Sequence, residues 1–308
     1  MSLRAIVLGA GAGGGFPQWN SAGPGCQRAR AGDPAALPRT QASLAVSADG
    51  LRWVLLNAAP DLRAQLEATP ALHPRPAPLR NSPIAAVVLT GAEVDTIAGL
   101  LTLREGHPFA LYAAPAALGT LAANPIFLAV NPATVPRRTL PLDAPLALAD
   151  AAGAPLGLTL EAFAVPGKVP LFQEQGQDPG RADDGETIGL RLSAAGRSLV
   201  FIPGCAAMTP GLAARIDGTD CLLFDGTLWR DDEMIRAGAG PKTGARMGHM
   251  SIDGAGGTIA ALAGLRLGRR ILIHLNNTNP VLLADSPERA AATAAGWEVA
   301  ADGMEIAP

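Results

Sequence analysis

Residues 89–100 read Leu89-Thr90-Gly91-Ala92-Glu93-Val94-Asp95-Thr96-Ile97-Ala98-Gly99-Leu100, with two carboxylates at their centre. The run before them, 84–89, is continuously apolar, which predicts a buried β-strand, and residues 95–104 have the periodicity of a helix. A strand that passes through a short turn into a helix places that turn at one end of a sheet. A metal ion bound at this turn would therefore meet the carboxylate oxygens of Glu93 and Asp95 first.

Strands and helices alternate along the whole chain, separated by glycine or proline. The predicted strands are 3–8, 43–47, 52–56, 84–89, 110–113, 158–165, 187–192, 198–202, 222–224, 271–275 and 298–301. The predicted helices are 60–67, 95–104, 115–121, 211–216, 252–265 and 287–295. Two runs of strands, each followed by helices, predict an α/β fold in which two sheets pack face to face with helices outside. We expect this four-layer αββα sandwich to form one domain over residues 1–308, with the polar segment 170–185 as a mobile loop.

Composition excludes several classes of protein. The chain has 308 residues, 48% of them hydrophobic, which is enough to bury a sizeable core. A formal net charge of -3 and scattered Lys and Arg residues argue against a nucleic-acid partner. No window approaches the roughly 20 apolar residues that a membrane span needs. Three unpatterned cysteines and the lack of a signal-peptide pattern predict a cytoplasmic protein.

The glycine-rich segment 9–14 satisfies the pattern G-x-G-x-x-G directly after a predicted strand. A dinucleotide site would need a helix to begin within this pattern, so that its N-terminus faces the pyrophosphate. Residues 15–20 do not favour a helix, and no acidic residue closes a second strand about 20 residues later. We interpret the segment as a loop whose backbone approaches the site closely.

Only four histidines are present, and two of them stand at positions suited to a site. His274 ends an apolar strand and precedes a polar turn, 275–280, whose amides and hydroxyls can face a cleft. His249 stands just before the predicted helix 252–265, where it can move protons. His73 lies in a proline-rich loop and is interpreted as a surface residue. His107 follows a predicted helix and is interpreted as a partner of its C-terminal dipole.

A third carboxylate, Asp225, follows three apolar residues at the end of a predicted buried strand. Burial of a carboxylate is costly unless it is paired or coordinates a cation. A metal ion held jointly by Asp225 and the 89–100 turn would compensate for that burial. The neighbouring acids Asp231, Asp232 and Glu233 are interpreted as a solvated helix start without a role.

Together these features resemble the metallo-β-lactamase superfamily, and more narrowly the pyrroloquinoline quinone biosynthesis protein B family. The 89–100 segment keeps the skeleton of the superfamily loop T-H-x-H-x-D-H-x-x-G-L but has lost its histidines. The narrower resemblance rests on GGGFPQWN at 13–20, NAAPD at 57–61, LTLREG at 101–106, GKVP at 167–170, FIPGCA at 201–206, DGT at 225–227, GHMS at 248–251 and HLNNTNP at 274–280. It runs nearly from end to end of the chain.

The resemblance implies a function in making the quinone cofactor. It suggests an iron-dependent oxygenase that uses O2 to hydroxylate the tyrosine ring of a cross-linked Glu-Tyr intermediate, with other proteins of the pathway as partners. The residues agree, because carboxylates mixed with imidazole suit Fe(II) or Mn(II), although Zn(II) can occupy such a site in isolation. Gly91 stands at a superfamily histidine position and cannot bind metal, so a mononuclear centre is expected.

Roles for individual residues follow as hypotheses. The expected ligands are Asp95, Asp225 and His274, with Glu93 as a fourth ligand or a base. His249 is the expected proton donor. Substrate carboxylates and amines are expected to contact Lys168, Arg104, Asn276 and Asn277.

The chain departs from the family pattern at two places. The family commonly has a C-x-C-x-x-C zinc knot after residue 20, but only Cys26 remains here, too few thiolates for a structural zinc site. We predict no structural zinc, with Pro24 and packing ordering the loop. Thr96 stands where the family usually has a histidine, so it offers at most a contact to a metal-bound water.

Two other functions remain open. A non-catalytic carrier for the quinone or its precursor would also use a polar pocket and would need no metal. A metallohydrolase is the third reading, but the loss of imidazole positions argues against it.

Overall fold

The computed structural model describes residues 2–174 and 185–308. It contains two seven-stranded mixed sheets. The first has the order β14-β1-β2-β3-β4-β5-β6 and comprises β1 (Arg4–Gly9), β2 (Ser43–Ser47), β3 (Trp53–Leu56), β4 (Ile84–Val88), β5 (Ala110–Ala113), β6 (Arg137–Thr139) and β14 (Glu305–Ile306). The second has the order β13-β12-β11-β10-β9-β8-β7 and comprises β7 (Pro145–Ala149), β8 (Pro155–Ala164), β9 (Ile188–Ala194), β10 (Arg197–Ile202), β11 (Cys221–Asp225), β12 (Arg269–Ile273) and β13 (Glu298–Val299).

The α-helices are short and lie between the strands in sequence. They are α1 (Pro24–Arg30), α2 (Leu62–Ala68), α3 (Val94–Ile97), α4 (Pro115–Ala123), α5 (Pro210–Ile216), α6 (Glu233–Arg236), α7 (Gly244–Met247), α8 (Thr258–Leu262) and α9 (Pro287–Ala294). A 3-10 helix, Ala98–Leu103, continues α3. None of the helices in the described ranges is long and apolar enough to cross a membrane.

The layers are held together by two hydrophobic clusters. The larger one fills the space between the sheets, where Val88 and Tyr112 of the first sheet belong to one cluster with Leu190 and Phe224 of the second, and it extends to the helices outside the second sheet. The smaller cluster packs α2, α4 and the 3-10 helix against the outer face of the first sheet. This arrangement confirms the predicted αββα sandwich.

Most strands lie within three residues of their predicted bounds, since continuous apolar runs mark buried strands well. The sequence did not reveal β6, β7 and β14, which are short or largely exposed. The predicted helix 252–265 is wrong in its first half. Residues 253–257 form turns, with Gly254 at a φ of +97°, and α8 begins only at Thr258.

Three central strands end at the same edge of the sandwich and position the site. β4 runs parallel to β3 and β5, and β11 runs parallel to β10 and β12. Their carboxyl ends lead into the 89–100 turn, Asp225 and His274. The glycine-rich loop after β1 joins the two sheets there, because Gly11 forms β-bridges to both Gln41 and Leu275. It begins no helix, as predicted, and β1 is antiparallel to both of its neighbours.

Candidate metal centre

A cavity of about 620 Å³ opens at this edge of the sandwich. It is lined by the glycine-rich loop, the 89–96 turn, the 168–172 segment and both site histidines, including Gly13, Gly14, Asn57, Thr90, Glu93, Val94, Asp95, Thr96, Lys168, Leu171, Phe172, Glu186, His249 and His274. The close approach of the glycine-rich loop is confirmed, because a Cβ on Gly13 would lie 3.7 Å from Asp95 Oδ2.

The 89–100 turn is fixed by its backbone surroundings. Asn57, at a φ of +66°, accepts hydrogen bonds from the Thr90 amide (2.9 Å) and hydroxyl (3.1 Å) through Oδ1. Glu93 precedes α3, and Asp95 occupies its first turn. A Cβ on Gly99 would overlap the carbonyl oxygens of Ala58 and Ala59, so only glycine allows this close crossing. The turn therefore holds Asp95 at the floor of the cavity.

Asp95 faces His274, which comes from the other sheet. Asp95 Oδ2 lies 2.9 Å from His274 Nε2. Burial opposes charge on Asp95, but the hydrogen bond and charge of His274 outweigh it and hold the pKa of the carboxyl below its ordinary value. Burial likewise opposes charge on His274, yet Asp95 raises the pKa of the imidazole. His274 itself has a φ of +61°, an uncommon backbone conformation of the kind found at functional sites.

Asp225 ends β11 and is completely buried. Its Oδ2 accepts hydrogen bonds from the Cys205 amide (2.9 Å) and His249 Nδ1 (2.7 Å), and its Oδ1 accepts from the Thr227 amide (3.0 Å) and hydroxyl (2.6 Å). Burial disfavours the charged form, but the charge and hydrogen bond of His249 hold the pKa of Asp225 below its ordinary value. The predicted end-of-strand position is confirmed, but Asp225 is not among the residues that line the cavity.

The two imidazoles are stacked, with ring centroids 5.1 Å apart. His249 follows α7, not the start of the predicted helix 252–265, and it reaches the same cavity as His274. Asp225, His249 and His274 each offer a possible ligand atom, and these atoms lie within 4.8 Å of one another. Asp95 lies outside this group but adjoins it, 2.9 Å from His274 Nε2. Such a mixture of nitrogen and anionic oxygen donors fits a divalent transition metal.

Lys168 is held in a chain of ion pairs on the cavity wall. Its Nζ lies 2.8 Å from Glu93 Oε1 and 3.3 Å from Glu174 Oε1, and Glu174 Oε2 lies 2.9 Å from Arg246 Nη2. The hydrogen bond from Arg246 holds the pKa of the buried Glu174 carboxyl below its ordinary value, with Lys168 adding to this effect. Glu93 therefore lies against Lys168 and, like Asp95, outside the compact group of Asp225, His249 and His274, and its role as a fourth ligand or a base remains a prediction.

Three predicted substrate contacts do not line the cavity. The guanidinium of Arg104 lies beside Leu101 and Glu105 at the end of the 3-10 helix. Asn276 hydrogen-bonds Thr278, and Asn277 hydrogen-bonds the side chain of Gln18. Both asparagines hold the loop after His274 and are not among the residues that line the cavity, so their contacts with a substrate remain predictions.

Thr96 and the 170–185 segment were also singled out by the sequence. Thr96 lines the cavity and is largely buried, and its carbonyl accepts a hydrogen bond from the Ala58 amide. Residues 170–172 line one side of the cavity, with Leu171 and Phe172 about half exposed. The predicted mobility of 170–185 falls mainly on residues 175–184, which lie outside the described residues.

The loop that would carry a zinc knot has another anchor. Pro24 opens α1, as expected of a proline at a helix start, and Cys26 is buried with Sγ 3.7 Å from Asn277 Oδ1. In addition, the Arg30 guanidinium donates hydrogen bonds to the carbonyls of Gln18, Trp19 and Ser21. Arg30 therefore ties the end of the glycine-rich loop to α1, which the sequence did not reveal.

Sequence reasoning also missed two buried groups around the site. Thr227 lies between Asp225 and both imidazoles, and its only sequence signal was its place directly after Asp225-Gly226. Glu233, interpreted as solvated, is buried and accepts hydrogen bonds from the Trp229 amide and the Thr278 hydroxyl. The apolar residues that follow it on α6, Met234 and Ile235, could have indicated that Glu233 is buried.

Comparison with known proteins places the whole chain among close relatives. A family model described as a beta-lactamase superfamily domain matches residues 52–275. The chain is 63% identical to coenzyme PQQ synthesis protein B of Gluconacetobacter diazotrophicus, over 99% of each chain. It is 56% identical to the protein of the same name from Xanthomonas oryzae pv. oryzae, over 99% of this chain and 100% of that one.

Solved structures give the same result. The crystal structure of Zn(2+)-bound PqqB from Methylobacterium extorquens is similar to this fold with a TM-score of 0.95, at 50% identity over 99% of this chain and 100% of that one. A diphosphatase of the PhnP family, at 20% identity, has a TM-score of 0.69 and shares 99% of this chain and 97% of its own. The second likeness concerns the fold alone.

Proposed function

This chain belongs to the coenzyme PQQ synthesis protein B family of the β-lactamase superfamily, and we propose that it is an iron-dependent hydroxylase in PQQ biosynthesis. Its substrate would be the cross-linked Glu-Tyr intermediate, hydroxylated on the tyrosine ring. The family membership supports the pathway. The donor set at the cavity floor supports the reaction type.

The observation that carries the proposal is the set of donors around the two imidazoles, with Asp225 in a compact group with both and Asp95 2.9 Å from His274 Nε2. His249, His274 and Asp95 all line the cavity, whereas Asp225 does not, and its two oxygens already accept four hydrogen bonds. We therefore assign the metal to the two imidazoles and Asp95, with Asp225 holding His249. Two histidines and one carboxylate, with positions left open, are the ligand set of non-haem Fe(II) oxygenases.

Iron is proposed because ring hydroxylation needs a metal that exchanges electrons with O2, which zinc does not do. Bound Fe(II) would supply the activation of O2 at the floor of the cavity. Each hydroxylation would place one oxygen atom of O2 in a ring C–H bond and release the other as water. The two electrons and two protons needed for that water would come from a two-electron reductant such as ascorbate.

The residues around the mouth suit an aromatic substrate that carries carboxylates. Leu171, Phe172 and Val94 give the mouth an apolar surface that would exclude water from a bound ring. Lys168 is the cation at the cavity wall, and its partner Glu93 is partly exposed. A substrate carboxylate could therefore take the place of Glu93 beside Lys168 and fix the orientation of the ring.

The test is product formation by the iron-loaded protein. Anaerobically reconstituted protein is mixed with the cross-linked Glu-Tyr substrate, ascorbate and air, and the product is analysed by mass spectrometry. A metal-dependent gain of one or two oxygen atoms, lost in metal-free protein and in Asp95→Ala, supports the proposal. Tight binding of a substrate that returns unchanged with every metal and reductant would overturn it in favour of a carrier.

A further inference from the structure

The hydroxyl of Thr227 contacts three charged or titratable groups of the metal centre at once. Its Oγ1 lies 2.6 Å from Asp225 Oδ1, 2.8 Å from His274 Nδ1 and 3.0 Å from His249 Nδ1. Thr227 is almost completely buried. A hydroxyl has a single proton and two lone pairs, so the three contacts cannot all use the same proton.

The direction of each hydrogen bond follows from this count of one proton and two lone pairs. A carboxylate only accepts, and at 2.6 Å the hydroxyl proton must lie between Thr227 Oγ1 and Asp225 Oδ1, or two acceptor oxygens would repel each other. Both lone pairs of Oγ1 then face imidazole nitrogens that must donate. His274 and His249 are therefore both protonated at Nδ1, with His249 also donating to Asp225 Oδ2 at 2.7 Å.

We infer that Thr227 is a positioning residue that fixes the Nδ1–H tautomer of both histidines, so that each offers Nε2 to the metal. In His274 that nitrogen donates a hydrogen bond of 2.9 Å to Asp95 Oδ2, the third proposed ligand, and a bound metal would take the place of that proton. Partners of this kind, which hold the outer nitrogen of a ligating imidazole, set its tautomer and orientation. The inference rests on the proposed function only in taking these imidazoles as metal ligands.

The main test reads the tautomers directly in the zinc-loaded protein and needs no turnover. Long-range ¹H–¹⁵N NMR distinguishes protonated from bare imidazole nitrogens, and the chain has only four histidines to assign. Spectra are recorded on Zn²⁺-loaded wild-type protein, because without a metal Asp95 Oδ2 also accepts a proton from Nε2 of His274. The inference expects Nδ1–H on both His249 and His274. A bare Nδ1 on His274 in the wild type would overturn it without any variant.

Two variants separate positioning from a structural role. Thr227→Val keeps the branched shape without the hydroxyl, and Thr227→Ser keeps the hydroxyl. We expect Thr227→Val to leave Nδ1 of His274 without its hydrogen-bond partner and to weaken Zn²⁺ binding by about 10–100-fold, while Thr227→Ser stays near the wild type. Thr258→Val is the matched control, because Thr258 is also buried but bonds only the Ser251 carbonyl among the described contacts.

The outcomes distinguish this inference from the proposed function. A folded Thr227→Val protein with wild-type tautomers and wild-type zinc affinity would overturn the inference. If Zn²⁺ binding weakens as expected and the wild type forms no hydroxylated product, the proposed function fails and the role of Thr227 stands. If Thr227→Val does not fold, the wild-type spectrum and the Thr227→Ser affinity still decide.

Discussion

The buried carboxyl of Glu233 makes the stability of this protein depend on pH in a way that one substitution should remove. Glu233 opens α6 and is 8% exposed. It accepts hydrogen bonds from the Trp229 amide at 2.7 Å and the Thr278 hydroxyl at 2.6 Å, joining α6 to the loop after His274. Burial outweighs these hydrogen bonds and raises the pKa of Glu233 from 4.5 to about 7.

A raised pKa means that the folded state binds the proton more tightly than the unfolded state does. The stabilisation is therefore fully present below about pH 4.5, is lost as the pH rises, and is gone above about pH 7. At about 1.4 kcal/mol per pKa unit, the whole effect is about 3 kcal/mol. Between about pH 5.5 and 8.5 the part that is lost is about 2 kcal/mol.

Glu233→Gln removes the charge and keeps a hydrogen-bonding side chain of the same shape. The free energy of unfolding of Glu233→Gln, relative to the wild type, should rise by about 2 kcal/mol from pH 5.5 to 8.5. Urea unfolding followed by tryptophan fluorescence at several pH values measures it. The exposed neighbour Asp232→Asn is the control and should show no such rise, because its pKa is lowered by the hydrogen bond from Arg236. A difference between Glu233→Gln and the wild type that stays flat with pH would refute the reasoning.

Three further predictions concern the site and the loop beside it. Asp95→Asn should weaken Fe(II) binding at least about tenfold in anaerobic titrations while the protein stays folded, and an unchanged affinity would remove Asp95 from the ligands. Lys168→Met should raise the KM for the carboxylate-bearing substrate about tenfold or more and change kcat less, since it removes a charged hydrogen bond of about 1.5–3 kcal/mol. Arg30→Met should lower the Tm by about 2 °C in calorimetry and speed amide exchange at residues 18–21. Unaltered exchange there would show that Arg30 does not anchor the loop.

The sequence predicted which strands position the site better than it predicted the contacts between side chains. Continuous apolar runs located β4, β11 and β12, and with them the positions of Asp95, Asp225 and His274 at strand ends. The parts that failed depend on local turns. Residues 253–257 read Asp-Gly-Ala-Gly-Gly, and their three glycines favour turns over the predicted helix. His249 follows the short helix α7, which the sequence did not reveal.

Side-chain partners were harder to predict, because they depend on residues far apart in the chain. Asn277 looks like a cleft residue in the sequence but is paired with Gln18, which is 259 positions away. The prediction that Asp225 binds a metal did not anticipate that its oxygens accept four hydrogen bonds. The donors come from three separate segments, around Cys205, Thr227 and His249. Polar residues at a strand end thus predict where a site lies, but the role of each residue can be assigned only from the folded structure.

The most direct test of the central claim is the origin of the oxygen in the product. The iron-loaded protein is given the cross-linked Glu-Tyr substrate and ascorbate under ¹⁸O₂ in ordinary water, and the mass of the product is measured by mass spectrometry. The proposed hydroxylase predicts an ¹⁸O atom in the tyrosine ring for each hydroxylation, only when iron is bound. A product that contains oxygen from water alone, or a substrate recovered without any oxygen added, would contradict it.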